Sequence, residues 1–496
     1  MGTEPTEGGA DQIRFLLDDE QVCASGFAPT MTLLEYLRDV AHRTGTKEGC
    51  AEGDCGACTV VLGSLAADGA HVEYRAINSC IRLLPTIDGH ELITVESLAD
   101  RDGTLHPVQQ AMVDGHGSQC GFCTPGFVMS LFALYLASPA PTRSEVIRAL
   151  AGNLCRCTGY RPIIDAGCAM SSYATPRHWS RAAALSTDRR QALLPLRRDR
   201  ALRLPGFIAP RTTAELEAAL AAEPGAVVLA GGTDVGLWVT KQLRDLPAII
   251  YIGEVAELRR LQSDASGIYV GATVSLTDAW SAIVAAYPAL GEVAERFGSP
   301  PVRNSGTLGG NIANGSPIGD AMPALMVLGA EIEVRSAGGV RRMPLDRFYL
   351  GYQRKDFKPG EYLHSLRVPP PRPGLRLASY KIAKRIDQDI SAVCAAFAVE
   401  VEGGRIALAR VAFGGMAAIP ARARASEAAL IGQPWNAEGI EPGIAALSND
   451  FQPLSDLRAS SAYRLEAAGN LLRRFYLEQT NSATPIRAST LAPVAV

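Results

Sequence analysis

The sequence predicts an α+β protein built from several domains, and three observations carry that prediction. Short strand-like runs flank a cysteine- and glycine-rich loop near the start of the chain. A following stretch, residues 106–173, has helical character and no strand signal. From Pro205 onward short strands alternate with helices and glycine-rich turns, then give way to a hairpin and more helices. The expected segments are 11–95, 96–173, a linker 174–203, then 204–373 and 374–480, which suits a chain of 496 residues at ~100–200 residues per domain.

In the first segment Gln12–Leu17 reads as a strand. Thr32–Thr44 reads as helical, with Leu33, Leu34, Leu37 and Val40 on one face. Strands are expected at Thr59–Leu65 and around Glu73–Arg75. In the second segment Gln119–Ala137 is an apolar helical run ended by Ser138-Pro139. Thr142 and Glu145 make a capping box for Arg143–Ala151, and Pro162 suits the first turn of a last helix to about Tyr173. Between Arg177 and Arg203 eight arginines face only Asp188 and Asp199, so 174–203 reads as a solvated linker lying over another surface. Ser391–Glu402, Gly403-Gly404 and Arg405–Gly414 spell a hairpin, with two helices after it, the later near Ala462–Glu478.

Composition excludes some functions. A net charge of −3 with little aromatic interleaving argues against nucleic-acid binding. The acidic start has no apolar signal core, and the longest strongly apolar stretch, Phe127–Ala137, falls short of the ~20 residues of a membrane span. Met1-Gly2-x-x-x-Thr6 matches a short myristoylation pattern in acidic surroundings that do not favour it. A cytoplasmic setting is expected, where clustered thiols serve as metal ligands or catalytic groups more often than as disulfides.

Eight of the eleven cysteines fall into two groups. Cys50, Cys55 and Cys58 read C-x4-C-x2-C, with Cys80 as a distant fourth, which is the plant-type [2Fe–2S] spacing. Gly49, Gly53 and Gly56 supply the positive φ and close backbone approach that such a loop needs. The second group is Cys120-x2-Cys123 and Cys155-x-Cys157, each pair ahead of a helix whose positive end favours thiolate. A four-cysteine zinc site is the alternative for either group, whereas a Rieske centre would need histidines that are absent at the right spacing. Cys394 reads as a small core residue; Cys23 and Cys168 have no partner identifiable from sequence.

Taken together, KEGCAEGDCGACT, QCGFCTPG and CRCTGYRP resemble the two-cluster iron–sulfur part of the molybdenum hydroxylases, the family of xanthine dehydrogenase and aldehyde oxidase. The resemblance implies a β-grasp, ferredoxin-like domain over 11–95 and a four-helix-bundle [2Fe–2S] domain over 96–173. It also implies that Gln119 contacts a molybdopterin; the plain reading is an exposed helix-start residue. Ala51 and Asp54 stand where animal relatives have glycine.

Two glycine-rich stretches follow: Ala226–Ala230 running into Gly231-Gly232-Thr233-Asp234, and Arg303–Pro317 ending at Asp320. Neither is a Rossmann or P-loop motif, yet both offer consecutive N–H groups to a pyrophosphate. They resemble the family's FAD loops. The resemblance implies a two-part α/β FAD domain of the vanillyl-alcohol-oxidase type over 204–373 and an α+β domain over 374–480. It assigns Val228, Leu229, Ala230, Gly231, Gly232, Thr233, Asp234, Val235, Gly236, Thr307, Gly309, Gly310, Asn311, Asp320 and Lys381 to FAD. Phe297 would pack beside the flavin, the alternative being plain core. Asp387, Gln388 and Asp389 would steer NAD+, the alternative being a solvated turn.

The resemblance therefore implies an electron-transfer chain, with two [2Fe–2S] clusters, FAD and NAD+ as acceptor. The fused order of its parts is similar to that of bacterial xanthine dehydrogenases. A larger partner subunit would carry the molybdopterin and hydroxylate a purine, and the assembly would be a dimer of heterodimers. An aldehyde or N-heterocycle hydroxylase is the nearest alternative, and a zinc-bearing scaffold without redox activity is one of a different class.

Overall fold

The computed structural model describes residues 12–66 and 68–480 and divides into two compact units. The Met1-Gly2 pattern lies outside the described residues.

The first unit runs to Arg259 and takes in Ser275–Thr277 and Gly298–Thr307. Its first sheet contains β1 (Ile13–Leu17), β2 (Glu20–Ala24), β3 (Thr59–Leu65), β4 (Val72–Asn78) and β5 (Glu91–Ile93), in the order β2-β1-β5-β3-β4. Only β1 and β5 pair in parallel, which gives the mixed sheet of a β-grasp. Ile13, Phe15, Val60 and Leu92 on the sheet meet Leu33 and Leu37 from the crossing helical stretch. That stretch stops at Val40, short of the expected Thr44, because Arg38 donates to the Thr46 carbonyl at 2.8 Å and His42 turns at φ 55°.

Four helices follow, Pro107–Asp114, Thr124–Ala137, Arg143–Leu150 and Arg161–Ala169, packed around Phe127, Leu131, Phe132, Val146 and Ile163. The capping box of Thr142 and Glu145 is formed. Helix Thr124–Ala137 begins later than the expected Gln119, since Gly121 at φ 82° commits residues 119–123 to a loop. A small sheet completes the unit: β6 (Leu202–Leu204), β7 (Phe207–Ala209), β8 (Val227–Leu229) and β9 (Ile249–Tyr251), ordered β6-β7-β9-β8.

Residues 174–203 lie over another surface as expected, but they are anchored and not simply solvated. Trp179 is fully buried, 5.6 Å from Phe132 and 6.0 Å from Tyr74 between ring centres, while Leu193 and Leu196 pack with Leu16 and Val72. Arg189 lies over Trp179 at 4.0 Å and pairs with Glu91 at 2.8 Å and with Asp19. Arg198 binds Asp88 at 2.6 Å. The arginine-rich composition hid three buried apolar anchors, each worth about 1.5–3 kcal/mol.

In the second unit β10 (Leu261–Asp264), β11 (Gly267–Gly271), β12 (Glu331–Ser336) and β13 (Gly339–Pro344) join β16 (Tyr362–Val368) in the antiparallel order β10-β11-β16-β12-β13. A two-stranded ribbon, β14 (Tyr349–Gly351) and β15 (Arg354–Lys355), lies between β13 and β16 in sequence. The last sheet is β17 (Arg376–Ile382), β18 (Val393–Glu402), β19 (Arg405–Gly414) and β20 (Ala421–Arg422). Gly403 and Gly404, at φ 54° and 75°, make the tight hairpin turn between β18 and β19. Three helices follow where two were expected: Arg424–Leu430, Ala437–Asp450 and Ser461–Thr480. The extra one is too short for periodicity to reveal, and ion pairs from Arg422 and Arg424 to Glu427 hold it. Phe397 stacks on Phe475 at 5.3 Å in the core beneath the sheet. Among the described residues no helix is long and apolar enough to cross a membrane.

Candidate functional site

Strand register assembles the first cysteine group. Because Thr59 pairs with Asn78, Cys58 just before β3 and Cys80 just after β4 come together, and both are buried. The loop before β3 brings Cys50 and Cys55 to them. Cys50 Sγ accepts N–H groups from Glu52 (3.4 Å), Asp54 (3.4 Å) and Cys55 (3.3 Å). Gly53 and Gly56 have φ of 81° and 71°, and so does the non-glycine Ala51 at 53°, which costs roughly 1–2 kcal/mol. A Cβ on Gly49 would stand 2.7 Å from Cys55 Sγ. Hydrogen bonds among the thiols set their acidity. Cys55 and then Cys80 hold Cys50 low, and Cys80 holds Cys58 low, while Cys55 and Cys80 are pushed up.

The second group divides into two cross-motif pairs. Cys120 and Cys157 Sγ lie 3.5 Å apart, and Cys123 hydrogen-bonds Cys155. Cys123 is the N-cap of helix Thr124–Ala137; burial, then Cys155, pushes its thiol up to about 12. For Cys155 burial opposes ionisation, but the Thr158 hydroxyl at 3.2 Å and nearby N–H groups bring the thiol below its ordinary value. The Phe122 N–H lowers Cys120.

A [2Fe–2S] cluster takes two thiolates on each of two irons, and each group gathers four thiols with glycines that leave room beside them.

The two groups are joined directly. Leu154 N–H, one residue before Cys155, donates to the Cys55 carbonyl at 2.9 Å. Buried Asn153 donates to the Gly56 carbonyl (3.1 Å) and Thr59 Oγ1 (3.3 Å) and accepts from Ser130 Oγ (2.6 Å). Reasoning from sequence missed both residues, although they sit inside NLCRC. Gln119 is exposed on the bend before Cys120.

In the first unit the glycine-rich turn after β8 presses on residues 305–306. A Cβ on Gly231 would stand 2.1 Å from the Ser305 carbonyl oxygen, and Ser305 Oγ is buried without a hydrogen-bond partner. Leu229 and Gly236 are buried, Val228 and Asp234 exposed, and Ala230, Gly232, Thr233 and Val235 intermediate. Thr307, buried, bridges to Ser275. The second stretch is more helical than its glycines suggest, with helices Pro300–Ser305 and Leu308–Asn314.

In the second unit Gly309 meets Ala272 so closely that a Cβ would lie 2.4 Å from its carbonyl oxygen. Asn311 Oδ1 and Thr273 Oγ1 are buried there without partners, and nothing in the sequence had marked Thr273. Unpaired polar atoms beside close-approach glycines suit residues that would face a pyrophosphate-containing cofactor. Gly310 lies within helix Leu308–Asn314.

Asp320 and Lys381 form a buried ion pair at 2.8 Å, with Ser391 Oγ donating to Asp320 at 2.5 Å and Lys381 Nζ donating to the Arg296 carbonyl at 3.1 Å. Phe297 is buried 5.9 Å from Trp280. Asp389 accepts the N–H groups of Arg385 (2.8 Å) and Ile390 (3.0 Å), which outweigh its partial burial and hold its carboxyl low. Asp387 is exposed. Gln388, at φ 50°, has both amide atoms buried without a partner.

Comparison with known proteins places these sites in a family. Residues 16–83 match the 2Fe-2S iron-sulfur cluster binding domain and 94–168 the [2Fe-2S] binding domain. Residues 201–371 match the FAD binding domain in molybdopterin dehydrogenase, and 378–479 the CO dehydrogenase flavoprotein C-terminal domain. The chain is 32% identical to xanthine dehydrogenase of Emericella nidulans over 95% of its own length and 39% of that protein. It is 34% identical to xanthine dehydrogenase 2 of Arabidopsis thaliana, over 85% of this chain and 36% of that one. It thus spans under two fifths of the length of these relatives.

Among solved structures, carbon monoxide dehydrogenase from Hydrogenophaga pseudoflava is similar at 30% identity and TM-score 0.51, covering 54% of this chain and 94% of the matched one. Quinoline 2-oxidoreductase from Pseudomonas putida 86 is similar at 26% and 0.50, with the same coverage. Cysteine loops, FAD-domain glycines and these matches agree: the chain belongs to the molybdenum hydroxylase family of oxidoreductases and carries its two [2Fe–2S] domains, its FAD-binding domain and its flavoprotein C-terminal domain.

Proposed function

We propose that the chain is the iron–sulfur/FAD subunit of a xanthine dehydrogenase. A larger partner subunit with molybdopterin would hydroxylate hypoxanthine or xanthine. In balance, purine C–H, water and NAD+ yield purine C–OH, NADH and a proton. The bound clusters supply one-electron steps and the flavin supplies the change to hydride chemistry.

The observation that carries the electron-transfer reading is the hydrogen bond from Leu154 N–H to the Cys55 carbonyl, which links a ligand loop of each group at 2.9 Å. Cys120, Cys123, Cys155 and Cys157 hold the cluster nearer the partner, and the exposed Gln119 beside them meets its molybdopterin. Cys50, Cys55, Cys58 and Cys80 hold the next one. The residues assigned to FAD, from Val228 to Gly236 and from Thr307 to Asn311, bind its pyrophosphate, with Asp320 and Lys381 oriented by their mutual ion pair. Asp387, Gln388 and Asp389 steer the nicotinamide nucleotide, Gln388 with its amide unpaired. The domain limits 11–95, 96–173, 204–373 and 374–480 and the dimer of heterodimers, in the cytoplasm, belong to the same proposal.

Xanthine dehydrogenases match along 85–95% of this chain, which favours the purine reading. A second reading, a subunit of another N-heterocycle or aldehyde hydroxylase, is favoured by the likeness to quinoline 2-oxidoreductase. The native complex decides between them when iron, molybdenum, zinc and flavin are measured together and turnover with hypoxanthine and NAD+ is assayed. Four irons and one FAD per chain with purine turnover are expected. Turnover of only another heterocycle moves the assignment to the second reading, and zinc without iron removes the redox reading altogether.

A further inference from the structure

The helix Val235–Thr240, which follows the Gly231–Gly232 turn, ends on the first cysteine loop. Thr240 Oγ1 donates to the Ala51 carbonyl at 2.7 Å, while its intrahelical alternative, the Gly236 carbonyl, lies at 3.1 Å. Lys241 Nζ is 3.8 Å from Glu52 Oε2, and Leu237 packs with buried Cys58 and Cys80. Helix and loop therefore meet at several points within one unit, and a Cβ on Gly236 would stand 2.4 Å from the Ile81 carbonyl oxygen.

Ala51 is the position of interest. At φ 53° it holds a left-handed conformation that its Cβ disfavours. That turn aims the N–H groups of Glu52, Asp54 and Cys55 at Cys50 Sγ. We propose that Thr240 is a positioning residue for the first iron–sulfur site: its hydroxyl clamps the Ala51 carbonyl, keeps the left-handed turn and so keeps three amides on the Cys50 thiolate. The inference rests on the reading of Cys50, Cys55, Cys58 and Cys80 as cluster ligands. N–H donors on a ligand sulfur stabilise the more negative, reduced form and raise its potential. Without the clamp Ala51 relaxes, the donors withdraw and the potential falls.

The test is an EPR-monitored redox titration of both [2Fe–2S] signals in the full chain, comparing wild type with T240V, T240S, A51G and the double variant T240V/A51G. In T240V the midpoint of one signal falls, by about 59 mV for each tenfold weakening of the reduced form, and the other stays. T240S retains the wild-type values. Adding A51G to T240V restores the midpoint, because glycine adopts the left-handed turn without the Cβ penalty that the clamp offsets. Should T240V lose iron from the first site, A51G restores that as well. Unchanged midpoints in T240V, a parallel shift of both signals, or no rescue by A51G overturns the proposal. Wild-type protein without either [2Fe–2S] signal removes the ligand assignment itself.

Discussion

Gly126, in the first turn of helix Thr124–Ala137, lies so close to Gly56 that a Cβ there would stand 2.1 Å from the Gly56 carbonyl oxygen. Gly56 in turn admits no side chain, since its own Cβ would meet the Gly152 carbonyl oxygen at 2.1 Å. Backbone rests on backbone between the two cysteine groups. A methyl at 126 has rigid main chain to displace. G126A is therefore expected to destabilise the protein by about 1–3 kcal/mol, read as a lower denaturation midpoint. An unchanged midpoint would show that helix and loop can separate freely.

Asn153 uses its buried amide to hold that junction. N153A leaves the buried Ser130 hydroxyl without its acceptor and takes one of three donors from the Gly56 carbonyl, which keeps the Thr59 N–H and hydroxyl. It is expected to cost about 1–3 kcal/mol. The magnetic interaction between the two reduced clusters should weaken as the loops part. Unaltered EPR splitting in a destabilised N153A protein would confine Asn153 to stability.

His106 provides a pH signature. Its Nδ1 accepts from Val108 N–H at 3.3 Å and its Nε2 donates to the Trp179 carbonyl at 3.2 Å, so the fold holds it neutral. Burial, against the hydrogen bond to Trp179, lowers its pKa from 6.5 to about 4. The unfolded chain takes up the proton first, so stability present above pH 6.5 is lost as pH falls toward 4, on the order of 3 kcal/mol. Urea unfolding from pH 7 to pH 4 measures this, and H106Q should flatten the slope in that window. Equal slopes for both proteins would refute the assignment.

For the flavin site, G231A forces a Cβ against the Ser305 carbonyl. FAD affinity should drop about tenfold or more, at an overpacking cost of ~1–3 kcal/mol, with iron content unaltered. Full flavin occupancy in G231A would move the pyrophosphate away from this turn.

Electron order is tested by C155S in the complex. Reduction of FAD by purine should fail, while reduction by NADH persists, as followed by flavin absorbance. If both survive equally, Cys155 does not lie on the route from the partner to the flavin.

Much of this was legible from local sequence. Cys50, Cys55 and Cys58 had to occupy one loop because their spacing leaves the chain no room to do otherwise, and Thr142 with Glu145 announced a helix start that forms as read. The β18–β19 hairpin followed from Gly403-Gly404 between two alternating runs. Trp179 was harder to read, because apolar residues scattered among arginines show no periodicity to reveal their burial. Thr273 carried no motif at all.

What the sequence by itself determined is the set of groups the chain can hold: thiol spacing, glycine turns and apolar patterning act over a few residues, where covalent geometry limits the outcome. What only the tertiary structure decided is which of them touch. Leu154 meets Cys55, Thr240 meets Ala51, and Gly126 meets Gly56 through packing between segments far apart in the chain. Such contacts depend on how whole elements close-pack, and no short stretch of residues encodes them.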